Sequence, residues 1–162
     1  MIILDEFELI KNAVEKADVI RYNNTDLSIK CVYGSFDYLA KFINDKSGIK
    51  DAIYPLVFIQ TPIESINKKF ETIINELKFI IAIKNNNVDI SNTDRSNDSF
   101  KNIIIPTLQS VVKSLLNNNM KIGEEIKTVK YFNFQSEQKL ATQDPWDAMK
   151  VQFKLTLNNY CK

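Results

Sequence analysis

The segment PLVFIQTP, residues 55–62, decides the fold class of this chain. Between its two prolines lie four consecutive apolar side chains, Leu56 to Ile59, followed by Gln60. Neighbouring side chains of a strand point to opposite faces of the sheet, so a strand made of such residues is apolar on both faces. Strands of that kind are central in a sheet or covered on both sides. The segment therefore predicts an interior strand at Leu56–Gln60.

Four further segments carry strand patterns. In Met149–Leu157 apolar and polar residues alternate most cleanly, and Leu77–Lys84 follows the same period of two. The remaining predicted strands are Leu27–Tyr33 and Val129–Phe134. Because most links between these strands are too short for a parallel crossover, we expect a mainly antiparallel sheet of about five strands.

Two segments, Ile3–Ala17 and Phe100–Leu116, place apolar residues at spacings of three and four, which is the helical pattern. Asp98 or Ser99 offers an N-terminal cap to the second helix. Pro106 lies inside the second apolar stripe, where it either kinks the helix or marks a later start.

Residues 34–50 and 63–76 leave the choice between helix and strand open, although Asp37–Asn44 fits a short helix. The order of the segments predicts the α+β class, with an N-terminal helix and one long helix packed on the sheet. No linker suits a domain boundary, so we expect a single domain over residues 1–162.

The composition excludes most well-known catalytic classes. The chain contains no histidine, which removes Ser-His-Asp and Cys-His sites. Its three glycines, Gly34, Gly48 and Gly123, are too far apart for a phosphate-binding loop. Cys31 and Cys161 form no CxxC pair, and Cys31 is predicted to be a buried, reduced thiol. We expect no enzyme activity, no cofactor, and no catalytic, cofactor-binding or metal-binding residues.

The charge balance argues against nucleic acid and membrane partners. Lysine and arginine total 21 against 20 acidic residues, a net charge of +1, whereas nucleic-acid binders usually carry a large positive excess. Arg21 and Arg95 are the only arginines, although bidentate reading of guanine favours arginine. The longest apolar run, Phe79 to Ile83, is far shorter than the roughly 20 residues that span a bilayer. We expect no specific nucleic-acid binding and no membrane association.

The tripeptide Glu76-Leu77-Lys78 has the ExK form used by some metal-dependent nucleases. There a carboxylate binds the metal and the lysine assists the attacking water. That chemistry needs a second carboxylate from a neighbouring strand, and the preceding acids, Glu64 and Glu71, lie outside Leu56–Gln60. A glutamate at the edge of a strand and a solvated lysine are favoured, and the nuclease is kept as an alternative.

Asn85–Ser99 is rich in Asn, Asp, Ser and Thr, which predicts an exposed loop. Because it has few groups to bury, we expect it to contact a partner rather than to support the fold. Its charged residues Asp89, Asp94, Arg95 and Asp98 are the interface candidates.

The segment Asp144-Pro145-Trp146-Asp147 contains the only tryptophan. Its two carboxylates could hold a hard metal, but Asp-Pro-x-Asp is ordinary turn chemistry. Trp146 is expected to pack over the sheet edge or to act as an interface anchor.

Five features of this chain, in the same order, are similar to the tail terminator (tail completion, head–tail joining) proteins of long-tailed bacteriophages. They are the opening helix Ile3–Ala17, the aromatic-proline strand Tyr54 to Ile59, the strand Glu76–Lys84 before a polar loop, the proline in the helical stripe at Ile105 to Leu108, and the tryptophan turn Asp144 to Asp147 before the strand Met149–Leu157.

This resemblance implies a non-enzymatic structural protein of the virion, located at the head–tail junction and synthesised in the cytoplasm of a host bacterium. Members of the family form a closed ring, commonly of six subunits. The ring caps the tail tube and offers a surface to the head-side connector, so the implied partners are further copies of the chain, the tail tube protein and the connector. The alternatives are another neck, connector or tail component of the same particle, and a nuclease that uses Glu76 and Lys78.

Overall fold

The computed structural model describes residues 5–44, 55–84, 91–132 and 146–158. These residues form an α+β structure, as predicted. In chain order the elements are α1 (Glu6–Glu15), β1 (Ile20–Tyr22), β2 (Thr25–Leu27), β3 (Lys30–Gly34), α2 (Phe36–Asn44), β4 (Leu56–Gln60), β5 (Ser65–Asn67), β6 (Glu71–Lys84), α3 (Asn92–Arg95), a π-helix (Ser96–Ile104), α4 (Ile105–Asn117), β7 (Met120–Tyr131) and β8 (Trp146–Asn158).

The main sheet has the strand order β3-β4-β6-β8-β7. Every pairing along this path is antiparallel except that of β3 with β4, which α2 connects as a parallel crossover. The short strand β5 pairs with residues 72–74 of β6, on the same edge that β4 occupies at residues 79–82. The prediction of a mainly antiparallel sheet is therefore confirmed.

Helices cover the two faces of the sheet unequally. On one face α1, the π-helix and α4 bury Val57 and Ile59 of β4 in the larger core. On the other face α2 buries Leu56 and Phe58, together with the part of β6 and β8 beside them. The apolar character of β4 on both faces is thus explained, and its predicted interior position is confirmed.

The first predicted strand is divided in two by a bend. The residues of Leu27–Tyr33 belong partly to β2 and partly to β3, while β2 pairs with β1 in a hairpin. Asn23 and Asn24 form its two-residue turn, with φ values of 47° and 62°. Such hairpin turns need positive φ at both positions, which asparagine tolerates.

The largest difference from the sequence analysis lies before α4. Residues 85–90 fall outside the described residues, but residues 92–99 are helical, so the prediction of a loop through Ser99 is wrong there. The helix is capped by Ser91, whose hydroxyl accepts a hydrogen bond from the Asp94 amide at 3.2 Å, and not by Asp98 or Ser99. Pro106 is the second residue of α4, directly after the π-helix, so it marks the point at which α-helical hydrogen bonding begins within one continuous helical segment.

Three strands are longer than predicted, and one of them is β8, which covers Trp146–Asn158 instead of Met149–Leu157. β7 begins at Met120 instead of Val129, and the ambiguous residues 63–76 form β5 and the first part of β6. Residues 124–130 of β7 are exposed on both faces, and therefore show no period of two. The predicted strand end at Phe134 and the turn at Asp144-Pro145 lie outside the described residues.

A buried ion pair connects the helical layer to the sheet. The Arg95 guanidinium of α3 donates a hydrogen bond to the Asp147 carboxylate of β8 across 2.7 Å. Their side chains are only 3% and 0% exposed. Two charges removed from water in this way must stay paired, because an uncompensated buried charge is very costly. The pair therefore fixes α3, whose other residues are exposed, against the sheet.

Replacing Asp147 by asparagine keeps its volume but leaves the Arg95 charge buried without its counter-ion. We expect Asp147→Asn to lower the free energy of unfolding by about 3–5 kcal/mol, measured by urea denaturation. Asp18→Asn is the matched control, because Asp18 pairs with Lys113 at the same distance, 2.7 Å, with side chains 68% and 66% exposed. The control should lose about 1 kcal/mol or less, and an equal loss at both sites would contradict the interior pair.

Candidate interaction surface

Helix α2 covers only part of its face of the sheet. Beyond that cover, Lys78, Gln152 and Lys127 lie side by side across β6, β8 and β7, and Gln60 ends the adjacent strand β4. We call these four residues the open face. Polar side chains occupy it because no helix among the described residues removes it from water.

Lys150 lies at the boundary between the covered and the open parts of this face. Its ammonium group is 5.4 Å from the ring centroid of Phe36 and 5.1 Å from that of Tyr131. Burial lowers the pKa of Lys150, because desolvation disfavours the charged form. The two rings hold this charge by cation–π contacts at the point where the helical cover ends.

Of the two charged ExK residues, Lys78 belongs to the open face and Glu76 lies beside it. The Glu76 carboxylate is 2.6 Å from the Lys78 ammonium and accepts a 2.6 Å hydrogen bond from the Gln152 amide. These partners, the lysine first, lower the pKa of Glu76. Glu64 lines the same concavity of about 410 Å³ as Glu76 and Lys78. Within the described residues, no group of three or more Asp, Glu, Cys or His side chains is arranged to hold a metal.

Both neighbours of β8 depart from regular pairing at Lys154. Asn75 and Glu76 of β6 bulge between paired residues there, and β7 bulges over residues 123–125. A Cβ atom on Gly123 would lie 3.0 Å from the Lys154 Cβ, so the close approach of the strands favours glycine. Bulges bend a strand and increase its local twist. The bulge in β7 contains Glu124 and Glu125, which are both exposed.

The outer edge of β7 is an exposed edge of the sheet. β7 pairs with β8 on one side, and no other strand of the described residues pairs with it. Its side chains include two large exposed hydrophobic groups, Ile126 at 39% and Val129 at 52%. An edge of this kind offers backbone N–H and C=O groups to a further strand. We call this feature the β7 edge.

The opposite edge of the sheet, strand β3, is protected at one position. The Cys31 amide of β3 donates a 3.4 Å hydrogen bond to the Glu15 carboxylate of α1. Cys31 is buried, as predicted, and burial raises the pKa of its thiol to about 12. The thiol therefore stays protonated at neutral pH and is a poor nucleophile.

Two of the five interface candidates are buried rather than exposed. Arg95 pairs with Asp147, and Trp146 is the first residue of β8, packed with the apolar residues under α2. Each is 2% exposed, so neither presents its side chain to a partner, and the expectation of surface contacts from these two is corrected. The physical reason is that both belong to the interior contacts that join helices to β8.

The other three interface candidates differ in their surroundings. Asp94 is exposed and accepts a 2.7 Å hydrogen bond from the Ser91 hydroxyl at the start of α3. Asp98 accepts a 2.7 Å hydrogen bond from the Tyr22 hydroxyl, which fastens the β1–β2 hairpin to the π-helix. Asp89 lies outside the described residues. Asp94 and Asp98 thus have local structural contacts, and their role at an interface stays a prediction.

The β7 edge was missed because its signal is weak. Glu124 and Glu125 have the pattern of a solvated surface pair, and Val129 was assigned to an ordinary strand. The signal that could have indicated the edge is the lack of any period across residues 120–131, together with their β-branched content. That combination is typical of a strand exposed on both faces.

A scan against models of protein families finds none that matches this chain, and a search of curated proteins finds no similar sequence. Within the described residues, no helix has both the length and the apolar character needed to cross a membrane.

If the β7 edge is a surface feature, truncating its side chains should hardly affect stability. We expect Ile126→Ala to lower the free energy of unfolding by about 1 kcal/mol or less. The matched control is Ile81→Ala on β6, whose side chain is 0% exposed and whose loss should cost about 2–5 kcal/mol. Urea denaturation compares the two variants. Similar losses at both positions would show that Ile126 belongs to the core.

Proposed function

We propose that this chain is a non-enzymatic structural subunit that assembles into a closed ring, as a tail terminator of a long-tailed bacteriophage. The observation that carries the proposal is the β7 edge, an exposed strand with the apolar groups Ile126 and Val129 at one end of the sheet. Exposed apolar groups on a strand edge are a liability for a monomer and an advantage for a subunit that pairs with a neighbour.

Symmetry supports a ring rather than a pair. The end of a tail tube is rotationally symmetric, so identical subunits that seal it repeat around the tube axis. Such subunits meet through two different surfaces, head to tail, in contacts that close after a full turn. The unequal edges of this sheet, one protected by Glu15 and one open at β7, are compatible with that type of contact.

In this proposal the ring lies at the head–tail junction of the virion. One side of it meets the tail tube protein and the other meets the head-side connector, and the family resemblance implies six copies. The near-neutral net charge of +1 suits binding by shape and burial more than by charge attraction. Synthesis takes place in the bacterial cytoplasm before the ring joins the particle.

Electron microscopy of the concentrated protein should show closed rings with a single rotational symmetry. Replacing Ile126 and Val129 by aspartate should abolish the rings, because a charge would be buried at each contact. Leu9→Asp is the matched control, since Leu9 is 39% exposed, as Ile126 is, but lies on α1 and not on β7. If the rings still form after the double replacement, the β7 edge is not needed for assembly.

The position of the chain in the particle distinguishes the proposal from its nearest alternative. Averaged images should place several copies around the axis at the head–tail junction. A ring elsewhere in the neck or tail would identify a different component of the particle. A single copy, or a position away from the tail, would contradict the terminator assignment.

One observation favours a nuclease as the second candidate, because Glu64 shares the concavity of Glu76 and Lys78. Under the structural proposal, DNA incubated with the protein and magnesium or manganese should stay intact. Cleavage that disappears in Glu76→Ala, but persists in the control Glu71→Ala outside that concavity, would establish the nuclease instead. Gel electrophoresis of the DNA measures the outcome.

A further inference from the structure

The hairpin between β5 and β6 carries a second exposed apolar group. Its turn is closed by a 2.8 Å hydrogen bond from the Lys68 amide to the Glu71 carbonyl. Phe70 is 55% exposed at the turn, and Ile66 of β5 is 51% exposed. The Lys69 ammonium lies 5.0 Å from the centroid of the Phe70 ring. We call Lys68, Lys69 and Phe70 the hairpin tip.

The hairpin and β7 lie at opposite ends of the same part of the sheet. Ser65 of β5 pairs with Ile74 of β6, Ile74 with Leu155 of β8, and Leu155 with Ile122 of β7. At this level the strand order is therefore β5-β6-β8-β7. The hairpin projects from one side of a subunit, and the β7 edge faces away on the other side.

The two ends also have complementary chemistry. The hairpin tip carries the ammonium groups of Lys69 and of Lys68, the latter 3.3 Å from the Glu71 carboxylate, whereas Glu124 and Glu125 lie exposed in the β7 bulge between Lys121 and Lys127. Within the described residues, neither of these glutamates forms an ion pair. Each end also has two half-exposed apolar side chains, Ile66 and Phe70 on the hairpin, Ile126 and Val129 on β7.

We propose that the hairpin tip of one copy docks against the β7 edge of a second copy of this chain. The lysines of the tip meet Glu124 and Glu125, and Phe70 packs on Ile126, the exposed apolar residue that follows them in β7. Charge complementarity of this kind selects the register and excludes contacts between two equal ends. The inference rests on the proposed ring, since it names the two surfaces that meet in it.

Each subunit would then bind one neighbour through its hairpin tip and the other neighbour through its β7 edge. A contact between two different surfaces of identical subunits is heterologous. Such contacts generate rings when the rotation between neighbours closes, and open filaments when it does not. Opposite ends of one sheet are suited to this arrangement, because the two surfaces face in different directions on every copy. The exposed bulge of β7 supplies the bend that separates a ring from a flat ribbon.

Charge reversal tests the contact directly. The tip variant combines Lys68→Glu with Lys69→Glu, and the edge variant combines Glu124→Lys with Glu125→Lys. Each variant alone should self-associate at least about tenfold more weakly than the unchanged chain, because like charges would meet. A mixture of the two variants should assemble again in a 1:1 ratio, since every contact then joins opposite charges. The four replacements in one chain should likewise restore assembly.

The matched control is Lys41→Glu with Lys101→Glu, which changes the net charge as the tip variant does but at exposed positions outside both surfaces. Chemical cross-linking and sedimentation velocity report association, and thermal melting verifies that each variant is folded. An unfolded tip variant is replaced by the single change Lys69→Glu, with the same expectation.

The outcomes separate this docking from the proposed function. Rings that persist in both single-site variants would overturn the docking and leave the ring standing. Open filaments with the expected charge dependence would support the docking and overturn ring closure. A chain that never cross-links to a second copy, even when concentrated, would contradict both.

Discussion

The burial of β4 and the adjoining part of β6 on both faces is the constraint on which the rest of the structure depends. Phe58 and Ile80 on one face, and Ile59 and Ile81 on the other, are all 0% exposed. Two helical layers must therefore exist, and the chain supplies α2 for one and α1, the π-helix and α4 for the other. Since burial of apolar surface is the main favourable term in folding, strands with such a sequence cannot remain uncovered.

The candidate interaction surfaces lie where the helices no longer cover the sheet. The strands β6, β7 and β8 are longer than the helices that lie on them, so their remaining parts meet water on at least one face. The bulges opposite Lys154 bend the sheet there, and β7 is left as an edge with mixed apolar and charged side chains. In a protein that uses a strand edge for assembly, apolar groups on the edge attract the correct neighbour but also favour pairing with other chains. Lysines on the strand limit this unwanted pairing.

The candidate site was less accessible from the sequence than the fold. The charged residues near Asn85–Ser99 resembled an interface because they are polar and closely spaced. Arg95 is nevertheless interior, because Asp147, 52 residues further along the chain, supplies its counter-ion. Pairings over such a separation leave no local pattern. The exposure of Ile126 and Val129 was not predicted for the opposite reason, since an apolar residue in a strand is usually in the core.

The sequence by itself determined the α+β class, the interior position of Leu56–Gln60 and the long helix that packs on the sheet. These features depend on local periodicity and on proline and asparagine, whose effects act within a few residues. Only the tertiary structure decided that residues 92–99 are helical, that Trp146 is buried, and that β7 and the β5–β6 hairpin lie at opposite ends of the sheet. Burial, ion pairing and strand order depend on contacts between segments that are far apart in the chain. Local sequence patterns do not predict such contacts.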